Sequence, residues 1–233
     1  MKILAMDTSA KTTSVCIAEN DTILAEFSIL TSLTHSQTLM PMMQAASDSC
    51  GVALDTIDLF AVSNGPGSFT GLRIGIGAVK GMAMGANKPC IGISTLEALA
   101  QNLADTPDIL CAAMDARCNQ VYTAVFSVKD GVLCRLTEDT ACMISELKET
   151  LRAYNKPITF VGDGAELCYK AMKDELDVRL ASPANRRQRA SGVALCAYRN
   201  AEQAVSAAAL TPTYLRRPQA ERERLAKQQN SEE

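Results

Sequence analysis

The chain has no tryptophan and a single histidine, His35, and aromatic residues make up only 4% of its 233 positions. One imidazole excludes a two-histidine metal site within one subunit, and no Ser-His or Cys-His pairing is suggested around it. His35 opens a predicted helix, where a surface or capping role fits better than that of a general base. With so few rings, the core has to be built from Leu, Ile, Val, Ala and Met. Long apolar runs are missing too: none approaches the roughly 20 residues of a membrane span. The first apolar stretch ends at Asp7 after four residues, too short for a secretory leader. The nine cysteines are odd in number and never spaced Cys-x-x-Cys, and Cys16, Cys90, Cys111 and Cys196 sit inside apolar runs. That is free-thiol usage in a reducing compartment, not a disulfide frame or a zinc site, so a soluble cytoplasmic protein is expected. Charge of one sign is not in excess either. A net −3 gives no global case for nucleic-acid or membrane binding.

The charge is unevenly spread, however. Residues 186–227 hold nine Arg or Lys against three Glu. Contact with phosphate would use Arg216, Arg217, Arg222 and Arg224, although a solvated helix and tail accounts for the same charges.

Asn64-Gly65-Pro66-Gly67-Ser68-Phe69-Thr70-Gly71-Leu72-Arg73-Ile74-Gly75 follows the apolar run Leu59-Phe60-Ala61-Val62, and no proline recurs until Pro89. This pattern predicts a strand, a tight turn and a helix. Gly65 and Gly67 admit positive φ, Pro66 fixes φ between them, and Ser68 or Thr70 can cap the helix. Amides at such a helix start form a potential anion site. The spacing matches neither the Walker A nor the dinucleotide fingerprint, and a turn that only packs helix on sheet explains it equally well.

Strands are expected at Lys2–Asp7, Ser14–Glu19 and Thr22–Ile29, then a helix with Thr34 and Gln37 spaced as a capping box and Pro41 near its start. Strand 57–63, a helix to about residue 85, strand 89–93 and helix 95–104 complete a β-β-β-α-β-α-β-α order, that of a ribonuclease-H-like half. After the boundary Asp105-Thr106-Pro107-Asp108 the pattern restarts with strands 109–114, 120–128 and 132–137, helix 145–154, strand 158–161, helix 165–173, strand 178–181 and helix 191–208. The expected organisation is an α/β protein of two such halves, 1–105 and 106–210, followed by an extended basic-acidic tail, 211–233. Two similar halves match the actin/Hsp70/sugar-kinase architecture.

Several segments carry a resemblance. These are Lys2-Ile3-Leu4-Ala5-Met6-Asp7-Thr8-Ser9, His35-Ser36-Gln37-Thr38-Leu39-Met40-Pro41, the glycine stretch, Met114-Asp115-Ala116-Arg117 running into Val121-Tyr122-Thr123-Ala124, and Tyr214-Leu215-Arg216-Arg217-Pro218-Gln219-Ala220-Glu221-Arg222. In this order, over essentially the whole length, the chain resembles the TsaB (YeaZ) family, small bacterial paralogues of TsaD in the machinery that makes threonylcarbamoyladenosine in tRNA. The resemblance implies the two-lobed fold, a heterodimer with TsaD, support from the ATPase TsaE, and self-pairing when alone. It implies tRNA contact only through the complex and no membrane partner. Enzymes of this superfamily bind nucleotide between their halves, which makes Asp7, Ser9, Lys11, Gly65, Gly67, Ser68 and Thr70 a thin candidate anion set. Asp115 would face it from the second half. The first hairpin has no glycine, and Asp7 bonded to a neighbouring strand end is the simpler reading. No tightly bound cofactor is expected, with ATP or ADP only in the complex.

TsaD-type proteins carry a His-x-x-x-His pair where this chain has Ser94-Thr95-Leu96-Glu97-Ala98-Leu99. The resemblance therefore implies a non-catalytic subunit that activates TsaD for transfer of threonylcarbamoyl to N6 of the adenosine at tRNA position 37. An autonomous nucleotide hydrolase or kinase is the alternative, and a peptidase loses its metal here as well. The expected partner surface is Leu39, Met42, Met43 and Ala46 on the first helix, with Arg73, Gly77, Gly81, Met82 and Gly85 on the second. Gly71 and Gly75 form one ridge of small residues and Gly77, Gly81 and Gly85 another, each mid-helix glycine costing about 1 kcal/mol relative to alanine. Two ridges suggest contacts on two sides, and the methionines suit a surface that adapts to more than one partner.

Overall fold

In the computed structural model of the chain, residues 1–216 are described. Arg217, Arg222 and Arg224 lie outside the described residues. The first sheet contains β1 (Lys2–Asp7), β2 (Thr12–Glu19), β3 (Thr22–Leu30), β4 (Leu59–Gly65) and β5 (Cys90–Ser94) in the order β3-β2-β1-β4-β5. β1, β2 and β3 run antiparallel in succession, and β4 and β5 are parallel to β1. Alternate residues of β1 point to opposite faces and both faces are covered, which is why the strand reads as a continuous apolar run. Leu4 and Met6 meet α1 (His35–Cys50) and α2 (Phe69–Ala86); Ile3 and Ala5 meet α6 (Ala190–Arg199).

The second sheet repeats the scheme with β6 (Ile109–Asp115), β7 (Gln120–Lys129), β8 (Val132–Arg135), β10 (Ile158–Val161) and β11 (Val178–Leu180), in the order β11-β10-β6-β7-β8. β9 (Thr140–Met143) pairs with β7 off this path. α4 (Ile144–Leu151) and α5 (Ala165–Met172) cover one face, and α3 (Thr95–Gln101) covers the other through Leu96, Leu99 and Ala100, with Leu103 just beyond it. The two ribonuclease-H-like halves of the actin/Hsp70/sugar-kinase fold are thus present, the first with its expected order of strands and helices, the second with β9 as an additional strand between β8 and α4.

The packing units differ from the expected division at 105 and 210. Helix α6 ends at Arg199 and lays Ala190, Val193, Ala194, Cys196 and Ala197 on the first sheet, not the second. Beyond it the chain returns to the first half: Val205 pairs with Cys90, and Ala207 and Leu210 join the core beneath α1 and α2. Helix α3, from the first half, is in turn buried against the second sheet. The lobes are also tied by Arg135, which pairs with Glu97 on α3 and with Asp139, while Ser94 Oγ donates to Asp139 Oδ2 at 2.6 Å.

Candidate functional site

Two surfaces are candidates for function, the cleft between the halves and the outward face of α1 and α2. The cleft encloses about 680 Å³ and is lined by Ser9 to Lys11, residues 66–71, Asp115 to Arg117, Tyr122, Asp163 and residues 213–216, among others. Most of the candidate anion set is brought together here, Ser9, Lys11, Gly67, Ser68 and Thr70 all lining it.

Asp7 and Gly65 do not line the cleft. Asp7 is buried, and its carboxylate accepts from the Ser9 amide at 2.8 Å, the Ser9 hydroxyl at 2.7 Å and the Ser63 hydroxyl at 2.6 Å. Burial raises its pKa from the ordinary carboxylate value, while the Ser63 and Ser9 hydrogen bonds oppose the shift. Asp7 thus knots the end of β1 to β4 and to the first turn, the structural reading that its sequence position already favoured. Gly65, at φ +134°, leaves room for the Thr213 carbonyl, which a Cβ would overlap. Gly67 presses against the first hairpin: a Cβ there would sit 2.6 Å from the Ser9 carbonyl, which accepts from the Ser68 amide at 2.7 Å. The glycine turn therefore uses its freedom to close on Ser9. Ser68 caps α2 by accepting from the Gly71 amide at 3.3 Å.

Across the cleft, the β6–β7 turn holds Arg117, Cys118 and Asn119 at φ 64°, 54° and 57°, three successive left-handed residues without a glycine. Such conformations are strained and persist only where surroundings impose them. Here the Asp115 carboxylate takes the Arg117 amide at 2.7 Å and Gln120 bonds back to Ala116. Asp163 opens into the cleft beside Asp115. Loss of hydration raises its pKa, the Gln188 amide and the neighbouring backbone oppose this, and the Asp115 charge adds to it. Asp163 belongs to a turn whose sequence signal, Gly162-Asp163-Gly164, gave no hint of a cleft position. Among the described residues, no group of three or more His, Cys, Asp or Glu is arranged to hold a metal ion. His35 Nδ1 lies 2.6 Å from the Thr13 hydroxyl, and His35 lines the cleft together with the N-cap Thr34. The Ser94–Leu99 segment is structural: Ser94 Oγ caps α3 by accepting from the Glu97 amide.

The partner surface needs a correction on α1. Leu39, Met42, Met43 and Ala46 are buried in the core of the first half, because the apolar stripe of an amphipathic helix faces its own sheet first. What α1 leaves outside is Ser36, Gln37, Met40, Pro41, Gln44, Asp48 and Ser49. On α2 the two glycine ridges separate cleanly. Gly71 and Gly75 face inward, and a Cβ on either would overlap Thr8. Gly77, Gly81 and Gly85 face outward, with nothing within 4 Å of the place a Cβ would take. Met84 stands 70% exposed beside them, Arg73 is exposed one turn before Gly77, and Met82 is half-buried against the core.

Among the described residues, the members of the basic cluster are engaged in separate contacts. Arg186 pairs with Glu166, Arg189 with Glu26, and Arg199 donates to Gln101 Oε1 at 2.6 Å. Arg216 donates to the Ala116 carbonyl at 2.8 Å. Sequence reasoning had passed over Phe69, Lys80 and the role of Tyr214, all on α2 or against it. Phe69 and Tyr214 stack with centroids 5.0 Å apart, and Lys80 Nζ donates to the Ala208 and Leu210 carbonyls. The aromatic position inside the glycine turn was the available signal.

Among the described residues no helix is long and apolar enough to cross a membrane. The family model described as TsaD, tRNA N6-adenosine threonylcarbamoyltransferase, matches residues 29–224. The tRNA threonylcarbamoyladenosine biosynthesis protein TsaB of Bacillus subtilis (strain 168) is 31% identical over 223 residues, 95% of this chain and 96% of the relative. The solved structure of YeaZ from Pseudomonas aeruginosa superposes with a TM-score of 0.79 at 26% identity, covering 92% of this chain and 99% of that one. A hexokinase of the ROK type from Thermus thermophilus, at 12% identity and a TM-score of 0.51 over 87% of this chain and 99% of that one, shares the fold alone. With a two-lobed fold, a family model spanning most of its length and a relative matched nearly end to end, the chain belongs to the TsaB (YeaZ) family of tRNA threonylcarbamoyladenosine biosynthesis proteins.

Proposed function

We propose that this chain is a subunit without a catalytic centre of its own, which supports threonylcarbamoyl transfer to N6 of adenosine 37 in tRNA by pairing with a TsaD-family transferase and activating it. TsaE would join as the ATPase, tRNA would be met through the complex, and a second copy would occupy the same face when the transferase is absent. The observation that carries this reading is the outward ridge of Gly77, Gly81 and Gly85. Three glycines at four-residue spacing weaken a helix, and among the described residues nothing comes within 4 Å of where their Cβ atoms would stand. They are accounted for if another backbone comes close. The internal bonding of Asp7 supports the same reading against a nucleotide hydrolase, since its carboxylate is committed to Ser9 and Ser63.

The test is Gly81→Leu in a reconstituted modification assay with the transferase, TsaE and tRNA. A leucine on the ridge holds an approaching helix several ångströms away and strips out its contacts, enough to abolish a micromolar complex worth about 8 kcal/mol. The variant should melt no lower than the parent, because the position is open in the single chain and leucine is the better helix former, yet fail to pair and fail to support modification. Pairing and modification at parental levels would overturn the reading, as would nucleotide turnover by the isolated chain. Met43→Asp tests something else: with Met43 in the core, that variant reports on folding.

A further inference from the structure

Helix α2 carries two cations, Arg73 and Lys80, and no acidic residue along its eighteen positions. Lys80 is committed to the carbonyls of Ala208 and Leu210. Arg73 stands at the head of the outward ridge, one turn before Gly77, and it is held in place. Its Nε donates to the Tyr214 hydroxyl at 3.1 Å, and its guanidinium carbon lies 3.9 Å from the centroid of the Phe69 ring. Phe69 is in turn stacked on Tyr214 with an interplanar angle of 30°.

Tyr214 is fixed from both sides. The Thr213 amide donates to the Asn64 carbonyl at 2.7 Å, Lys80 fastens the turn before it, and Arg216 after it reaches the Ala116 carbonyl in the second half. Residues 208–216 form a strap from α2 across the cleft mouth, and the strap sets the orientation of Arg73. Among the described residues the terminal nitrogens of Arg73 have no hydrogen-bond partner. A guanidinium held by its Nε and one face, with its outer edge open, presents a fork that matches a carboxylate bidentately. Because its rotamer is already set, capture of an anion loses little further side-chain freedom.

We propose that Arg73, positioned by Tyr214 and Phe69, is the carboxylate-receiving end of the α2 docking face. The partner it fits is a helix that lays small residues along Gly77, Gly81 and Gly85 and an Asp or Glu over Arg73. The inference rests on the reading that α2 is the face the transferase takes. It makes Tyr214 a positioning residue and the strap a part of the interface.

The experiment is titration calorimetry of the full chain against a TsaD-family transferase at low and moderate salt, with each variant's melting recorded beside it. Arg73→Gln should bind about tenfold more weakly and show a flatter salt dependence, as expected on losing one exposed ion pair strengthened by preorganisation. Arg73→Lys should not restore the affinity, since an ammonium lacks the fork. Tyr214→Ala should lose several-fold, and the Arg73→Gln/Tyr214→Ala double variant should be no weaker than Arg73→Gln alone. If Tyr214→Ala melts early, Tyr214→Phe, which removes only the hydroxyl, should still cost about two- to threefold. Unchanged affinity of Arg73→Gln, or additive losses in the double variant, would overturn the inference. Gly81→Leu in the same titration separates the two readings. If it binds normally, α2 is not the partner face; if it abolishes binding while Arg73→Gln binds normally, only the role of Arg73 and its strap is lost.

Discussion

Asp7 accepts three hydrogen bonds in a pocket with almost no exposed surface, and burial still raises its pKa above the ordinary 3.8. The sign of its effect on stability follows. A carboxyl that binds its proton more tightly when folded favours the folded state most at low pH, and that contribution is lost as pH rises from 3.8 through the raised value. Relative to Asp7→Asn, which has the same shape and no titration, the parent chain should therefore lose stability with rising pH across that window and hold a constant offset above it. Melting temperatures of the two proteins between about pH 4 and 8 measure this. An offset that moves the other way would mean that the Ser9 and Ser63 bonds outweigh burial. The residue type at position 7 was legible in the sequence as a strand-end carboxylate. Its commitment to Ser63 was not, because that contact spans 56 residues and depends on β1 and β4 lying side by side.

Helix α2 shows what periodicity reveals and what it leaves open. Both glycine ridges are visible as four-residue repeats, but which one faces outward depends on the sheet beneath, where Thr8 fills the space beside Gly71 and Gly75. The two ridges should respond oppositely to alanine. Gly77→Ala and Gly81→Ala place a methyl in open space and should each raise stability by about 0.5–1 kcal/mol through helix propensity. Gly71→Ala and Gly75→Ala drive a methyl into Thr8, whose hydroxyl donates to the Gly71 carbonyl at 2.7 Å, and should cost about 1–3 kcal/mol or more. Urea denaturation of the four variants decides it, and equal effects on both ridges would contradict the packing described. The same limit explains the stripe on α1. Its apolar spacing was read correctly, yet one apolar face serves one surface, and the sheet takes it. The last helix was expected to run to Ala208. It stops at Arg199 because the following backbone pairs with β5 at Cys90, a partner more than a hundred residues away.

The chain as a whole is woven, not divided. The first sheet receives its second cover from α6, and the second sheet receives one of its covers from α3, so each half is completed by the other. Composition and turn signals around Asp105–Asp108 show where one strand pattern ends and the next begins, but they carry nothing about which sheet a later helix will cover. This arrangement makes a specific demand on folding. A fragment of residues 1–105 would leave Ile3, Ala5, Cys16, Leu59, Ala61 and Ile91 without α6 and expose an apolar sheet face to water. It should not fold alone, whereas the full chain should unfold in a single cooperative transition. Circular dichroism and calorimetry on both proteins test this: the fragment should lack a cooperative melt and the full chain should show coincident transitions by the two methods. Supplying residues 188–210 through a flexible linker should restore a cooperative melt to the fragment, because it returns α6 and the strand segment at Val205 together. A fragment that melts cooperatively without them would show that the first half is self-sufficient. In that case the return of the chain after Arg189 would be needed only to carry Tyr214 and Arg216 to the start of α2, and not to build the core they stand on.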